Sequence, residues 1–399
     1  MEKTWRWFGR NDSITPGMLR QIGVEGIVAT LDGSFCGASL KAGGVWPEAA
    51  IRAQKEYIEA SGLRWSVVES LPVSEAIKYA GLERDSLIAA YVRSLENLGR
   101  CGIRTVCYNF MPVIDWIRTD LAHPCPDGTG SLYFDYSELA YFDIYILGRR
   151  DARKDYPAEI LQKVETLRKN ADSSFEGRLV QVIIVQTQGF VNENFRGAAA
   201  DPVSLFRELL SRYDGVSRDA LRENLKYFLE AVMPVCTEYG IDMCIHPDDP
   251  PMQVLGLPRI VTCAEDIRWI LGAVDNPRNG LTFCAGSLSS GAHNDVAGMA
   301  REFASRTRFV HLRSCEVFPD GSFMEAPHTG GRAGLVELIR IFESAAPSLP
   351  MRVDHGRDML GDGNTGYNPG YGFHGRMLAL GQVEGMMAAV RDEIKNHMI

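Results

Sequence analysis

Short runs rich in β-branched and aromatic residues alternate along this chain with longer stretches whose apolar positions recur at helical spacing. The first pattern predicts strands and the second predicts helices. Strands are expected at Thr4–Phe8, Gly26–Leu31, Arg64–Glu69, Arg104–Asn109, Leu179–Gln186, Ile241–His246, Gly280–Cys284, Arg308–Arg313 and Met351–His355. Helices are expected at Thr15–Gln21, Pro47–Ala60, Asp85–Leu98, Ser217–Glu238, Ala264–Val274, Asp295–Ala304, Gly334–Ala345 and Met377–Lys395. Pro47 supplies a start signal, and Gly62, Gly99 and Gly240 supply stops.

Regular alternation with short connections implies an α/β fold with a parallel sheet, and favours a closed (β/α)8 barrel over an open sheet. The nine expected strands are one too many for such a barrel. A (β/α)8 barrel typically takes about 250 residues, so 399 leave a large surplus. The interval from Phe110 to Gly240 is far longer than any other, and Asp115–Lys154 is rich in Asp, Pro, Gly and aromatic residues without clear periodicity. We therefore expect a single barrel domain over residues 1–399, with an insertion or cap at 110–240 between strands four and five that contains Leu179–Gln186. The alternative places Leu179–Gln186 in the barrel and leaves Thr4–Phe8 outside it.

Composition narrows the function. Apolar residues at 45% and charged residues at 23% describe an ordinary globular chain rather than a disordered one. Lys plus Arg number 42 against 51 Asp plus Glu, a net charge of −9, and no block of basic residues occurs. Nucleic acid and anionic membrane surfaces are therefore not expected as partners. The N-terminus has no apolar leader and no run reaches membrane-spanning length, so a cytoplasmic protein is expected. Nine scattered cysteines without a C-x-x-C pair agree with reduced thiols.

The last four expected strands each finish on a residue able to bind a divalent metal: His246, Cys284, His311 and Asp354. Side chains at the C-terminal ends of barrel strands converge on one face, so four such residues reach one ion without any local motif. Period-two alternation then places Cys244, Thr282, Phe309 and Arg352 one layer below, where Arg352 needs an acidic or carbonyl partner. His355, next to Asp354, and Tyr371 in the segment Pro369–Gly372 are candidates to move protons beside the ion. Asn109 and Glu69 end the fourth and third strands, and Arg313 and Arg357 are candidates to hold a substrate carboxylate. The run Gly361–Gly372 has neither P-loop nor dinucleotide spacing and is read as an active-site loop.

The segments FGRNDSI (Phe8–Ile14), WSVVES (Trp65–Ser70), VCYNFMPVIDWIRTDL (Val106–Leu121), IHPDDPP (Ile245–Pro251), GLPRIV (Gly256–Val261), TFCAGSL (Thr282–Leu288), HLRS (His311–Ser314) and DHGR (Asp354–Arg357) closely resemble the D-mannonate dehydratase family. The resemblance implies a xylose-isomerase-like (β/α)8 barrel that dehydrates D-mannonate to 2-dehydro-3-deoxy-D-gluconate in hexuronate (glucuronate) catabolism, as a homodimer or higher homo-oligomer. It implies Mn²⁺, with Fe²⁺ as second choice, on His246, Cys284, His311 and Asp354, and an acid/base pair at His355 and Tyr371. Ligand softness alone would favour Zn²⁺ or Fe²⁺ for such a set. Gln181–Gly197 and Ser289–Asn294 depart from the family's pattern. A metal-dependent aldose-ketose isomerase on the same barrel and a non-catalytic sugar-acid-binding barrel are the competing readings.

Overall fold

The computed structural model describes residues 1–36, 43–188 and 201–397. Its strands, in chain order, are β1 (Glu2–Arg6), β2 (Gly26–Ala29), β3 (Arg64–Glu69), β4 (Thr105–Tyr108), β5 (Asp120–Pro124), β6 (Gly130–Phe134), β7 (Asp242–Ile245), β8 (Asn279–Cys284), β9 (Thr307–Leu312), β10 (Cys315–Val317), β11 (Phe323–Glu325) and β12 (Pro350–Val353). Eight of them close into a parallel barrel in the order β1-β12-β9-β8-β7-β4-β3-β2, and the other four form an antiparallel sheet in the order β10-β11-β6-β5. The first strand of the barrel is thus the N-terminal one, and the count resolves to eight.

Burial on both faces explains why these strands read as continuous apolar runs. Every residue of Gly26–Ala29 and of Asn279–Cys284 is buried. Inside the barrel, Val28, Val67, Cys107 and Phe309 pack into one cluster. Thr282 donates its hydroxyl hydrogen in this layer, with Cys107 Sγ at 3.2 Å and the Cys244 carbonyl at 3.3 Å. Arg352 finds the acidic partners it needs, Glu69 and Asp354.

Helices at Pro16–Gln21, Glu48–Glu59, Arg84–Arg100, Arg218–Tyr239, Ala264–Ala273, Val296–Phe303, Leu335–Ala345 and Phe373–His397 cover the outside, each within a few residues of its expected span. Arg218–Tyr239 is capped at its start by the Ser217 hydroxyl, which accepts from the Ala220 amide. It ends at Gly240, whose φ of +66° suits the left-handed stop that glycine adopts without strain. Phe228 on this helix lies 5.0 Å from the Tyr91 ring and 5.9 Å from the Tyr108 ring, fastening it to its neighbour and to β4.

Leu179–Gln186 is not a strand. Ser173–Val180 is a helix capped by Asp172, which accepts from the Phe175 amide, and Gln181–Gln186 continues it with wider π-type turns. Its β-branched residues suggest a strand, but Leu179, Ile183 and Ile184 are buried in a second apolar core with Phe134, Phe142, Ile160 and Phe206. Packing outweighs local propensity here. This second core also takes up Cys315 and Phe323 from the β10–β11 hairpin that follows β9, and β11 pairs with β6. The structure over the barrel mouth is therefore built from two separate connections. Residues 189–197 of the divergent stretch Gln181–Gly197 lie outside the described residues. Among the described residues, no helix is long and apolar enough to cross a membrane.

Candidate active site

The C-terminal ends of four adjacent strands deliver His246, Cys284, His311 and Asp354 to one place. Cys284 stands directly opposite His311 in the β8–β9 register, and Val353, the residue before Asp354, stands opposite Leu312. His246 Nε2 is 3.3 Å from His311 Nδ1. One donor atom from each of His246, Cys284 and His311 lies within 4.8 Å of the others. Asp354 Oδ2 adjoins this group at 3.9 Å from Cys284 Sγ and 3.7 Å from His311 Nδ1.

The outer nitrogen of each imidazole is already held. His246 Nδ1 is 2.7 Å from the Pro247 carbonyl, and His311 Nε2 is 3.2 Å from Glu69 Oε1. Arg352 Nε also lies 3.2 Å from His311 Nε2; the tautomers protonated on His246 Nδ1 and on His311 Nε2, toward Glu69, are the ones that turn lone pairs on His246 Nε2 and His311 Nδ1 toward each other. Carbonyl and carboxylate partners behind imidazole donors are the usual support of a divalent metal site. Burial pushes the Cys284 thiol up, but the Arg313 guanidinium and the His246 imidazole outweigh it and hold the thiol well below its usual range. Burial likewise opposes ionisation of Asp354, yet Arg352, His355 and Arg313 keep its carboxyl well below the ordinary carboxylate range. Two imidazoles, a thiolate and a carboxylate fit a divalent cation in number, charge and donor type.

Behind this group lies a buried network of opposite charges. Arg118 donates to Asp249 at 2.7 Å and to Glu325 at 2.8 Å. Arg313 donates to Asp249 at 2.8 Å, to Ser287 at 3.0 Å and also to Glu325. His355 Nδ1 is 3.0 Å from Glu325 Oε1. The imidazole is further confined by Trp116, 5.4 Å away between ring centres, and by Tyr371, edge-on at 5.2 Å. The Tyr371 hydroxyl reaches Asp354 Oδ1 at 3.4 Å, and burial followed by the Asp354 charge pushes its pKa well above the usual tyrosine value.

A cavity of ≈ 170 Å³ opens onto His246, Asp354, His355, Tyr371 and Arg313, and is also lined by Asn109, Asp115, Trp116 and Arg6. Asn109 donates to Asp115, and burial raises the pKa of that carboxyl. Two of the expected carboxylate-binding residues are placed differently. Arg313 lines the cavity with its guanidinium taken up by Asp249, Glu325 and Asp354. Arg357 is not brought to the cavity, and its Nη1 donates to Thr129 at 3.1 Å.

Arg6, Asp115, Trp116, Asp249 and Glu325 were not singled out by the sequence. Strand parity was an available signal for Arg6, since Thr4 is buried inside the barrel and Arg6 lies two residues on along the same face. Glu325 carried no signal, because it ends a three-residue strand in a hairpin without clear periodicity.

The fold and this site together define a (β/α)8-barrel enzyme working at the C-terminal mouth of its barrel. Residues 1–397 match the family model for D-mannonate dehydratase (UxuA), and the chain belongs to that family of hydro-lyases. A mannonate dehydratase of Marinomonas sp. (strain MWYL1) is 43% identical, covering 99% of this chain and 100% of that protein. The crystal structure of mannonate dehydratase from Streptococcus suis serotype 2 superimposes with a TM-score of 0.79 at 32% identity, covering 99% of this chain and 96% of that one. A xylose isomerase domain protein from Alicyclobacillus acidocaldarius shares the barrel fold, with a TM-score of 0.52 at 12% identity over 98% of this chain and 99% of that one.

Proposed function

We propose that this protein removes water from D-mannonate to give 2-dehydro-3-deoxy-D-gluconate, a step of hexuronate breakdown, with a divalent ion held by His246, Cys284, His311 and Asp354. The observation that carries the proposal is that the His246, Cys284 and His311 donor group borders, through His246, a cavity that Asp354, His355 and Tyr371 also line. Mn²⁺ is our first assignment, on the family resemblance, and Fe²⁺ the second. When bound, such an ion supplies Lewis acidity that stabilises negative charge on substrate oxygen.

The chain's own residues move the protons. His355, with its Nδ1 hydrogen donated to Glu325, presents a lone pair at Nε2 and takes the proton from C2. The Tyr371 hydroxyl gives its proton to the departing C3 hydroxyl, which leaves as water. The C2–H electron pair becomes the C2–C3 double bond, the C3–O bond breaks, and the resulting enol ketonises to the 2-keto-3-deoxy acid. Trp116 and Tyr371 confine the His355 ring and limit water around it. Asn109 and Asp115 face the same cavity with groups suited to sugar hydroxyls. We assign the enzyme to the cytoplasm, which accords with nine unpaired cysteines. Incubation of the Mn²⁺-loaded protein with D-mannonate tests the proposal: a 2-keto-3-deoxy acid is expected, and formation of a ketose or of no product contradicts it.

A further inference from the structure

An anionic substrate entering a net-negative protein needs a cation whose hydrogen-bonding groups are not already spent. An arginine carries five N–H donors on its three guanidinium nitrogens. Three arginines line the cavity: Arg6, Arg313 and Arg352. On Arg313, Nη1 is taken by Glu325, Nη2 by Asp249 and Ser287, and Nε lies 3.1 Å from Asp354. On Arg352, Nη1 is taken by Asp354, Nη2 donates to Glu69 at 3.1 Å, and Nε lies 3.1 Å from the second Glu69 oxygen. Both guanidiniums are committed to the protein's own carboxylates.

Arg6 is different. Its Nη1 donates to the Trp7 carbonyl at 3.0 Å, while Nε and Nη2 make no hydrogen bond to the described residues. Its guanidinium lies 4.8 Å from the centre of the Phe8 ring, which braces it from one side. Arg6 ends β1, and the register pairs Thr4 with Arg352, so Arg6 stands level with Asp354 across the strand pair. Burial, and then the neighbouring positive charge of Arg352, pull its pKa below the usual arginine value, with Glu69 and Tyr371 opposing. Glu69 and Asp12 act on it only at longer range, and among the described residues no carboxylate forms an ion pair with it.

We infer that Arg6 holds the carboxylate of the substrate, using Nε and Nη2 as a two-pronged donor. This inference rests on the sugar-acid reading above and deepens it. A carboxylate fixed at the mouth of β1 lies beside Asp354 and Tyr371, and the hydroxyl-bearing carbons are then free to extend across the cavity toward Asn109 and Asp115. Arg6 thereby favours acids over uncharged sugars of the same length.

The test compares wild-type protein with Arg6→Gln and Arg6→Lys, all loaded with Mn²⁺ and assayed with D-mannonate. Loss of a charge-assisted pair predicts a KM raised roughly 10- to 100-fold in Arg6→Gln, with metal content unchanged. Arg6→Lys, which keeps the charge but not the planar fork, is expected to fall between the two. In a His355→Asn background, where turnover is slowed by about 10²–10⁴-fold, calorimetric titration with D-mannonate should show the same order of affinities. A KM and an affinity for Arg6→Gln within threefold of their references, or an Arg6→Lys variant no better than Arg6→Gln, overturns the inference while leaving the dehydratase reading intact. Absence of D-mannonate turnover by the wild-type protein overturns both.

Discussion

The Glu325 carboxylate lies 3.0 Å from Nδ1 of His355, and it reaches that position from the β10–β11 hairpin rather than from the barrel. Arg118 and Arg313 hold the carboxylate in place, so the imidazole is anchored by a group that is itself anchored. Burial opposes the ionised form of Glu325, but Arg313 and His355 hold its carboxyl down at about 2. Glu325→Gln removes the charge that balances two buried guanidiniums. Breaking a buried pair in this way typically costs about 3–5 kcal/mol. A lowered Tm is expected, together with a kcat reduced by at least about tenfold and an unchanged metal content. Thermal unfolding, steady-state kinetics and metal analysis on one preparation check all three.

Cys284 is the softest donor of the set, and its ionised form is stabilised by Arg313 and His246. Cys284→Ala should purify with well under one equivalent of divalent metal. A chelator should strip the wild-type protein of activity, and adding Mn²⁺ back should restore it. Stoichiometric metal in the Ala variant would place the ion elsewhere.

Phe309 is fully buried inside the barrel and meets the His311 ring edge-on at 4.6 Å between centres. Phe309→Ala opens a cavity directly beneath a metal donor. Stability should fall by about 3–5 kcal/mol in urea titration, and because His311 loses its floor, metal affinity should weaken as well. A stability loss without any change in metal affinity would mean that the Glu69 contact alone fixes His311.

Much of this was legible in the sequence, for identifiable reasons. Barrel strands buried on both faces leave unbroken apolar runs, and His246, Cys284, His311 and Asp354 mark the ends of four of them. The eight outer helices follow from amphipathic period and capping signals. Leu179–Gln186 misled because β-branched composition carries no record of the second core that keeps it helical. Glu325 and Asp249 were hidden for another reason. Their role comes from long-range pairing with Arg118 and Arg313, which no local pattern encodes. Arg357 illustrates the converse, a cation close in sequence to Asp354 whose side chain turns toward Thr129.

In the proposed mechanism His355, beside a metal held by His246, Cys284, His311 and Asp354, takes the C2 proton in the dehydration of D-mannonate. The most direct test follows 2-keto-3-deoxy acid formation from D-mannonate by Mn²⁺-loaded wild-type and His355→Asn proteins whose metal contents have been measured. Steady product formation is expected from the wild type, and a rate lower by about 10²–10⁴-fold from the variant at equal metal content. Equal rates in the two proteins, or no keto-deoxy acid from the wild type, would contradict this mechanism.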